Sequence, residues 1–238
     1  MSIKAILFDL DGTLLPMELN DFLKDYYGRL VARLSQLGYE PKTLRQSFWT
    51  GTVAMLQNDG SRTNEEAFWD GFCQTAGQEI RAQESVFEEF YKTEFQLVKD
   101  SCGFDPRAAE AVRFARELGF AVILATNPVF PAVATESRIR WAGLEPEEFS
   151  LYTTFENSHY CKPNPMYYEE VLTKIGLTAQ QCVMVGNDTS DDLSARKAGL
   201  QVFLLTPCLI NKEDVDISQI PHGGFLELRE YLEQIKEK

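Results

Sequence analysis

Hydrophobic and polar positions alternate in three different rhythms along the chain. Ile3-Lys4-Ala5-Ile6-Leu7-Phe8 is a short, almost unbroken apolar run, which predicts a strand buried on both faces. After a break over residues 12–16 the period becomes helical. Phe22, Tyr26, Leu30 and Leu34 recur at every fourth position beside Leu23, Tyr27 and Val31, which predicts an amphipathic helix ending near Gly38. Leu44, Phe48 and Thr52 suggest a second helix. Thr63-Asn64-Glu65-Glu66 is a capping-box pattern ahead of Ala67, Phe68, Trp69 and Phe72. Val86, Phe87, Phe90, Tyr91, Phe95 and Val98 mark a further helix. Residues 18–98 thus form a small helical bundle whose aromatic stripes are its core, because each helix must bury one face.

The third rhythm begins at Asp105. Helices are expected over 108–118, 131–141, 164–175, 191–198 and 224–235. Between them fall apolar runs that predict strands over 120–125, 150–153, 182–185 and 201–205. Alternating strand and helix is the signature of a parallel sheet covered on both faces, an α/β fold of the Rossmann-like, doubly wound kind. The helical bundle interrupts that core after its first strand. The expected division is residues 1–16 and 103–238 for the core and 17–102 for the insert.

Charge and cysteine usage narrow the classes. The formal charge of −13 excludes a binder of phosphate backbones, which needs a positive face, and disfavours an anionic membrane surface. The five cysteines are scattered and never at metal-ligand spacing. With no basic segment leading into an apolar stretch at the start and no apolar run near ~20 residues, neither a signal peptide nor a membrane span is expected. Reduced thiols and the absence of both features predict a cytoplasmic protein. His159, just before Lys162, reads as a surface residue or, with Tyr160, as part of the entrance to the site, and His222 as a loop residue before the last helix.

In such sheets the chemistry gathers at the carboxyl ends of the strands. Every predicted end here is polar. Asp9 and Asp11 end the first strand, where like charges persist only if a cation or a reacting group compensates them. Thr126 and Asn127 follow the second, and a hydroxyl, an amide and free backbone N–H groups can hold phosphate oxygens. Lys162 precedes Pro163 and Pro165, which fix its approach to a helix. Asn187, Asp188, Asp191 and Asp192 follow the fourth strand, and clustered carboxylates there are hard oxygen ligands suited to Mg²⁺.

Asp9-Leu10-Asp11-Gly12-Thr13, Thr126-Asn127, Lys162-Pro163-Asn164-Pro165 and the acidic loop 186–192 resemble, in order, the four motifs of the haloacid dehalogenase (HAD) superfamily. The resemblance covers residues 3 to about 206, and the insert stands where that superfamily carries a helical C1-type cap. It implies a phosphomonoester hydrolase with Asp9 as nucleophile, Asp11 as general acid/base, Thr126 and Asn127 on the phosphate, and Lys162 on the transferring group. It also implies Mg²⁺ held by Asp9, the main-chain carbonyl of Asp11 and Asp188, with Asp192 behind. The fourth motif departs from its commonest Gly-Asp form by placing Asn187 first, so Asn187 with Asp191 is a second possible alignment. Dehalogenation is a poor match, since true dehalogenases of the superfamily typically lack the second aspartate. A phosphomutase and a catalytically silent phosphate- or metal-binding regulator remain as rivals. The expected partner is a small phosphorylated metabolite; its identity and the oligomeric state are not legible.

Overall fold

β1 (Ala5–Phe8) forms where every position is apolar, and all of its residues are buried. In the computed structural model, which describes residues 2–237, it is a central strand of a six-stranded sheet. The others are β2 (Ala121–Leu124), β3 (Leu151–Tyr152), β4 (Cys182–Gly186), β5 (Gln201–Leu205) and β6 (His222–Gly223). Their order is β3-β2-β1-β4-β5-β6, every neighbouring pair parallel. Successive side chains of a strand face opposite ways. Ile6 and Phe8 accordingly join one apolar cluster with α5 (Pro106–Glu117), α6 (Ala132–Trp141) and α8 (Phe225–Lys236). Ala5 and Leu7 join a second cluster, on the other face, with α7 (Pro165–Ile175). This is the expected doubly wound core.

Between β1 and α5 the chain is helical: α1 (Leu19–Ser35), α2 (Pro41–Leu56), α3 (Asn64–Ala76) and α4 (Glu84–Lys92), with 3₁₀ turns at Gln78–Gln83 and Glu94–Ser101. The capping box at Thr63 forms as its sequence predicts: the Glu66 N–H donates to the Thr63 hydroxyl and Glu66 accepts from the Thr63 N–H. The chain enters and leaves the insert side by side. Met17 and Cys102 make an antiparallel bridge, and the Gly103 N–H donates to the Pro16 carbonyl at 2.6 Å. The expected core segments end on Met1 and Lys238, which lie outside the described residues.

The start of α3 is fastened to the core. The Asn64 and Glu65 N–H groups donate to the carbonyls of Ser158 and Phe155, each at 2.8 Å. The Asn64 side chain is fully buried, accepts from Asn58 at 2.9 Å, and donates to the carbonyls of Pro128 and Tyr160 at 3.2 and 3.3 Å. Among the described residues no helix is long and apolar enough to cross a membrane.

Three local expectations change. The run 86–98 is not one helix, because Thr93 leaves helical geometry at φ −122°, ψ −87°. Its hydroxyl donates to the Glu89 carbonyl at 2.7 Å, a local bond that competes with the helical ladder. The bend brings Phe95 against Trp141 of α6, ring centroids 5.1 Å apart. The segment after the fourth motif is a 3₁₀ helix (Leu193–Ala198) and not a full helix over 191–198. His222, expected in a loop, pairs with Leu204 in edge strand β6, which is too short to leave a periodic signal.

Candidate active site

β1 lies between β2 and β4, and its neighbours are reached by connections on opposite faces. The crevice beyond such carboxyl ends is the ligand position of open α/β sheets. Register brings three motifs to one level there, since Phe8 is paired with both Leu124 and Val185. The turn after Asp9 closes through Leu15 N–H to Leu10 O at 2.8 Å. It needs Gly12, whose φ of +82° is left-handed and whose missing Cβ leaves the space that the Asn187 amide fills.

Asp9 is held from two sides. The Lys162 ammonium donates to its Oδ1 at 2.9 Å, and the Thr13 hydroxyl sits 3.0 Å from its Oδ2 and 3.0 Å from Asn187 Oδ1. Lys162 also donates to Asp192 Oδ1 at 2.6 Å, with only 1% of its side chain exposed. The other Asp192 oxygen accepts from the N–H groups of Asn187 and Asp188 at 2.9 and 3.0 Å. Burial pushes the Asp9 carboxyl up to about 7; Lys162 pulls it down, while Asp192 and Asp11 add to the rise. Burial works against the Lys162 charge, but Asp192 and Asp9 outweigh it and hold the ammonium well above its usual range.

A cavity of about 170 Å³ opens over these groups, lined by Asp9, Asp11, Thr126, Asn127, Lys162 and Asp188 among others. Thr126 is buried at its floor, its carbonyl accepting from the hydroxyls of Thr153 and Tyr167 at 2.6 and 2.9 Å. Asn127 was expected on the phosphate, yet its amide also braces the protein. Its Oδ1 accepts from the Lys162 N–H at 3.2 Å and its Nδ2 donates to Asp191 at 3.1 Å. The two alignments of the fourth motif differ in geometry. Asn187 is buried and donates to the Cys208 carbonyl at 2.7 Å. Asp188 uses one oxygen to accept from Ser190 and Asp191 N–H groups at 2.6 and 3.1 Å, while its other oxygen has no hydrogen bond among the described residues.

Gly186 matters to this frame because an added Cβ would collide with the Asp192 carboxylate. Gly186→Ala should therefore displace Asp192 from Lys162 and lower kcat at least about tenfold, the usual result of a small misplacement near a reacting centre. Steady-state kinetics beside a thermal melt checks this; unchanged kcat in a folded variant overturns it.

The model of haloacid dehalogenase-like hydrolases matches residues 3–199. The chain belongs to that family. The hydrolase is 28% identical over 221 residues to a phosphoglycolate phosphatase of Aliivibrio fischeri, covering 91% of this chain and 90% of the relative. It shares its fold with a HAD phosphatase from Thermococcus onnurineus (TM-score 0.59, 19% identity, 97% and 98% of the two chains). It is equally similar in fold to a 2-haloacid dehalogenase from Pseudomonas syringae (TM-score 0.60, 20% identity, 98% and 99%).

One site residue of the hydrolase was not foreseen. Arg138 of α6 is fully buried and forms an ion pair with Asp11 Oδ2. Its guanidinium lies 4.2 Å from the centre of the Phe130 ring and donates to Thr135 Oγ1 at 3.3 Å. The second Asp11 oxygen, Oδ1, is buried without a hydrogen-bond partner among the described residues. A buried acceptor left open is costly unless something donates to it in use.

Proposed function

We propose that this hydrolase is a phosphatase that cleaves a small phosphate monoester through an aspartyl-phosphate on Asp9. The observation that carries this is the clamp on Asp9: a buried carboxylate fixed by Lys162 and Thr13, at the floor of a cavity that Asp11 also lines. The names of the sequence relatives, phosphoglycolate phosphatases, support the ester class. Asp9 attacks the phosphorus in line as the ester oxygen leaves. Asp11 gives a proton to that oxygen and then takes one from the water that hydrolyses the intermediate; Arg138 holds its carboxylate in place. Lys162, anchored by Asp192, and the Thr126 hydroxyl stabilise charge on the equatorial oxygens, and Asn127 braces the Lys162 backbone beside them. Positioning and electrostatics are most of what phosphoryl transfer asks of a protein.

The donors fit Mg²⁺. Among the described residues no three His, Cys, Asp or Glu side chains converge as a metal site. Mg²⁺ asks for less: hard oxygens from one or two carboxylates, completed by carbonyl, water and substrate. Asp9, the open oxygen of Asp188 and the main-chain carbonyl of Asp11 are such a set, in a cavity lined by five aspartates and one lysine. Bound there, Mg²⁺ supplies charge that offsets repulsion between carboxylates and phosphate. The unpaired thiols suit a reducing, cytoplasmic setting. Incubation with a panel of phosphate monoesters should release inorganic phosphate with Mg²⁺ and at most a trace with excess EDTA. No release from any ester, or release indifferent to EDTA, overturns the proposal.

A further inference from the structure

A second cavity, of about 190 Å³, lies between the helical insert and the core. It shares Tyr27, Thr52 and Val129 with the cavity over Asp9, so the two adjoin, the reacting end at β1 and the far end among the cap helices. The walls of the far end are aromatic. Tyr27, Phe48, Phe68, Trp69 and Phe87 come from four different helices, and the Arg81 guanidinium already lies over the Trp69 ring at 4.7 Å. Such boxes attract organic cations through the negative faces of the rings.

Charge points the same way. The lining includes the carboxylates of Glu65, Glu84, Glu88 and Glu156, and no lysine, arginine or histidine. Glu65, Glu84 and Glu156 have no ion-pair partner among the described residues, and Glu88 only an exposed contact to Lys92 at 3.7 Å. Glu156 is fixed by two hydrogen bonds from the Ala132 N–H, at 2.9 and 3.1 Å, which hold its charge in the wall. Burial and then the neighbouring Glu156 charge push the Glu65 carboxyl above its usual range; Arg81 pulls it down, and Glu84 adds a smaller push up. Arg81, stacked over the Trp69 ring, is one cation beside four carboxylates, so this end stays net negative: an anion entering it is repelled and a cation relieves it.

We propose that the leaving group of the substrate carries an organic cation, an ammonium on a short spacer, which sits in this aromatic and acidic end while its phosphate lies over Asp9. This rests on the phosphatase reading and sets the enzyme apart from relatives whose named substrate ends in a carboxylate. Hydrolysis breaks the phosphate–oxygen bond, leaving an amino alcohol and inorganic phosphate, with water supplying the oxygen.

The test compares kcat/KM for phosphocholine, glycerol phosphate and phosphoglycolate, whose leaving groups are cationic, neutral and anionic, with p-nitrophenyl phosphate as a generic reference. Phosphocholine should exceed phosphoglycolate by roughly thirtyfold, the scale of a desolvated cation–aromatic contact. Glu65→Gln should reduce the ratio of phosphocholine to glycerol phosphate about fivefold or more. A preference for phosphoglycolate, with p-nitrophenyl phosphate turned over, overturns the cation site and leaves the phosphatase reading standing. If no ester is hydrolysed, that reading fails by itself, and calorimetry with choline decides the site: saturable binding weakened by Glu65→Gln supports it, and no heat overturns it.

Discussion

Asp9→Asn should abolish turnover of p-nitrophenyl phosphate, by about 10⁴-fold or more, the scale of losing a covalent nucleophile. The amide keeps the shape: its oxygen can accept from Lys162, and its NH2 can donate to the Thr13 hydroxyl, which then donates to Asn187 Oδ1. The substitution also removes one negative charge from a cluster of three, since Asp11 and Asp192 both raise the Asp9 carboxyl. The melting temperature of the variant should therefore not fall. Phosphate release and a thermal melt on the same preparation decide the matter. Undiminished turnover in the folded variant removes Asp9 from the mechanism.

Lys162→Met should be the most damaging change to stability, costing about 3–5 kcal/mol at pH 8, the range for a buried ion pair broken from one side. It strands two carboxylates, Asp9 and Asp192, that share one ammonium at 2.9 and 2.6 Å. The loss has a pH signature. Lys162 pulls the Asp9 carboxyl down, so without the ammonium that carboxyl is raised further in the folded state than in the unfolded one. The folded protein then binds more protons, and its stability increases as pH falls towards the ordinary carboxylate range. In the intact protein Lys162 is itself raised, so its contribution persists through neutral pH and disappears only as pH climbs through that raised value. Urea unfolding of both proteins in EDTA, at pH 8 and 5.5, should show the gap narrowing on acidification. A gap independent of pH means that the lysine is not bearing those charges.

The core was legible because its signals are local. Short apolar runs ending in polar residues reveal strand ends, and a parallel sheet forces those ends to one edge, so Asp9, Thr126, Lys162 and Asp188 meet there. Arg138 left no such sign. Within α6 it stands two places from Arg140, yet one is wholly buried and the other has a side chain 47% exposed. Only its spacing, four after Ala134 and three before Trp141, puts it on the buried face, and two charged neighbours in one short helix hide that. The break at Thr93 was masked for the opposite reason: Phe90, Tyr91, Phe95 and Val98 are all buried, so the apolar rhythm runs on across a bend. The acidic aromatic cleft is likewise beyond sequence, because Phe22 and Phe72 in the bundle core and Phe48 and Trp69 in the cleft wall repeat at the same helical spacing.

Asn64 has a consequence for tempo. A lid closed by greasy contact alone must wet that surface each time it lifts. Here α3 meets the core through main-chain and amide hydrogen bonds, and water can take each one over as it parts. A typical bond of this kind nets only about 0.5–1.5 kcal/mol, so the fastening is directional without being deep. It specifies one docked orientation of the helix, beside the ring contacts of Phe22 and Tyr26 with Phe130 that join the insert to the core.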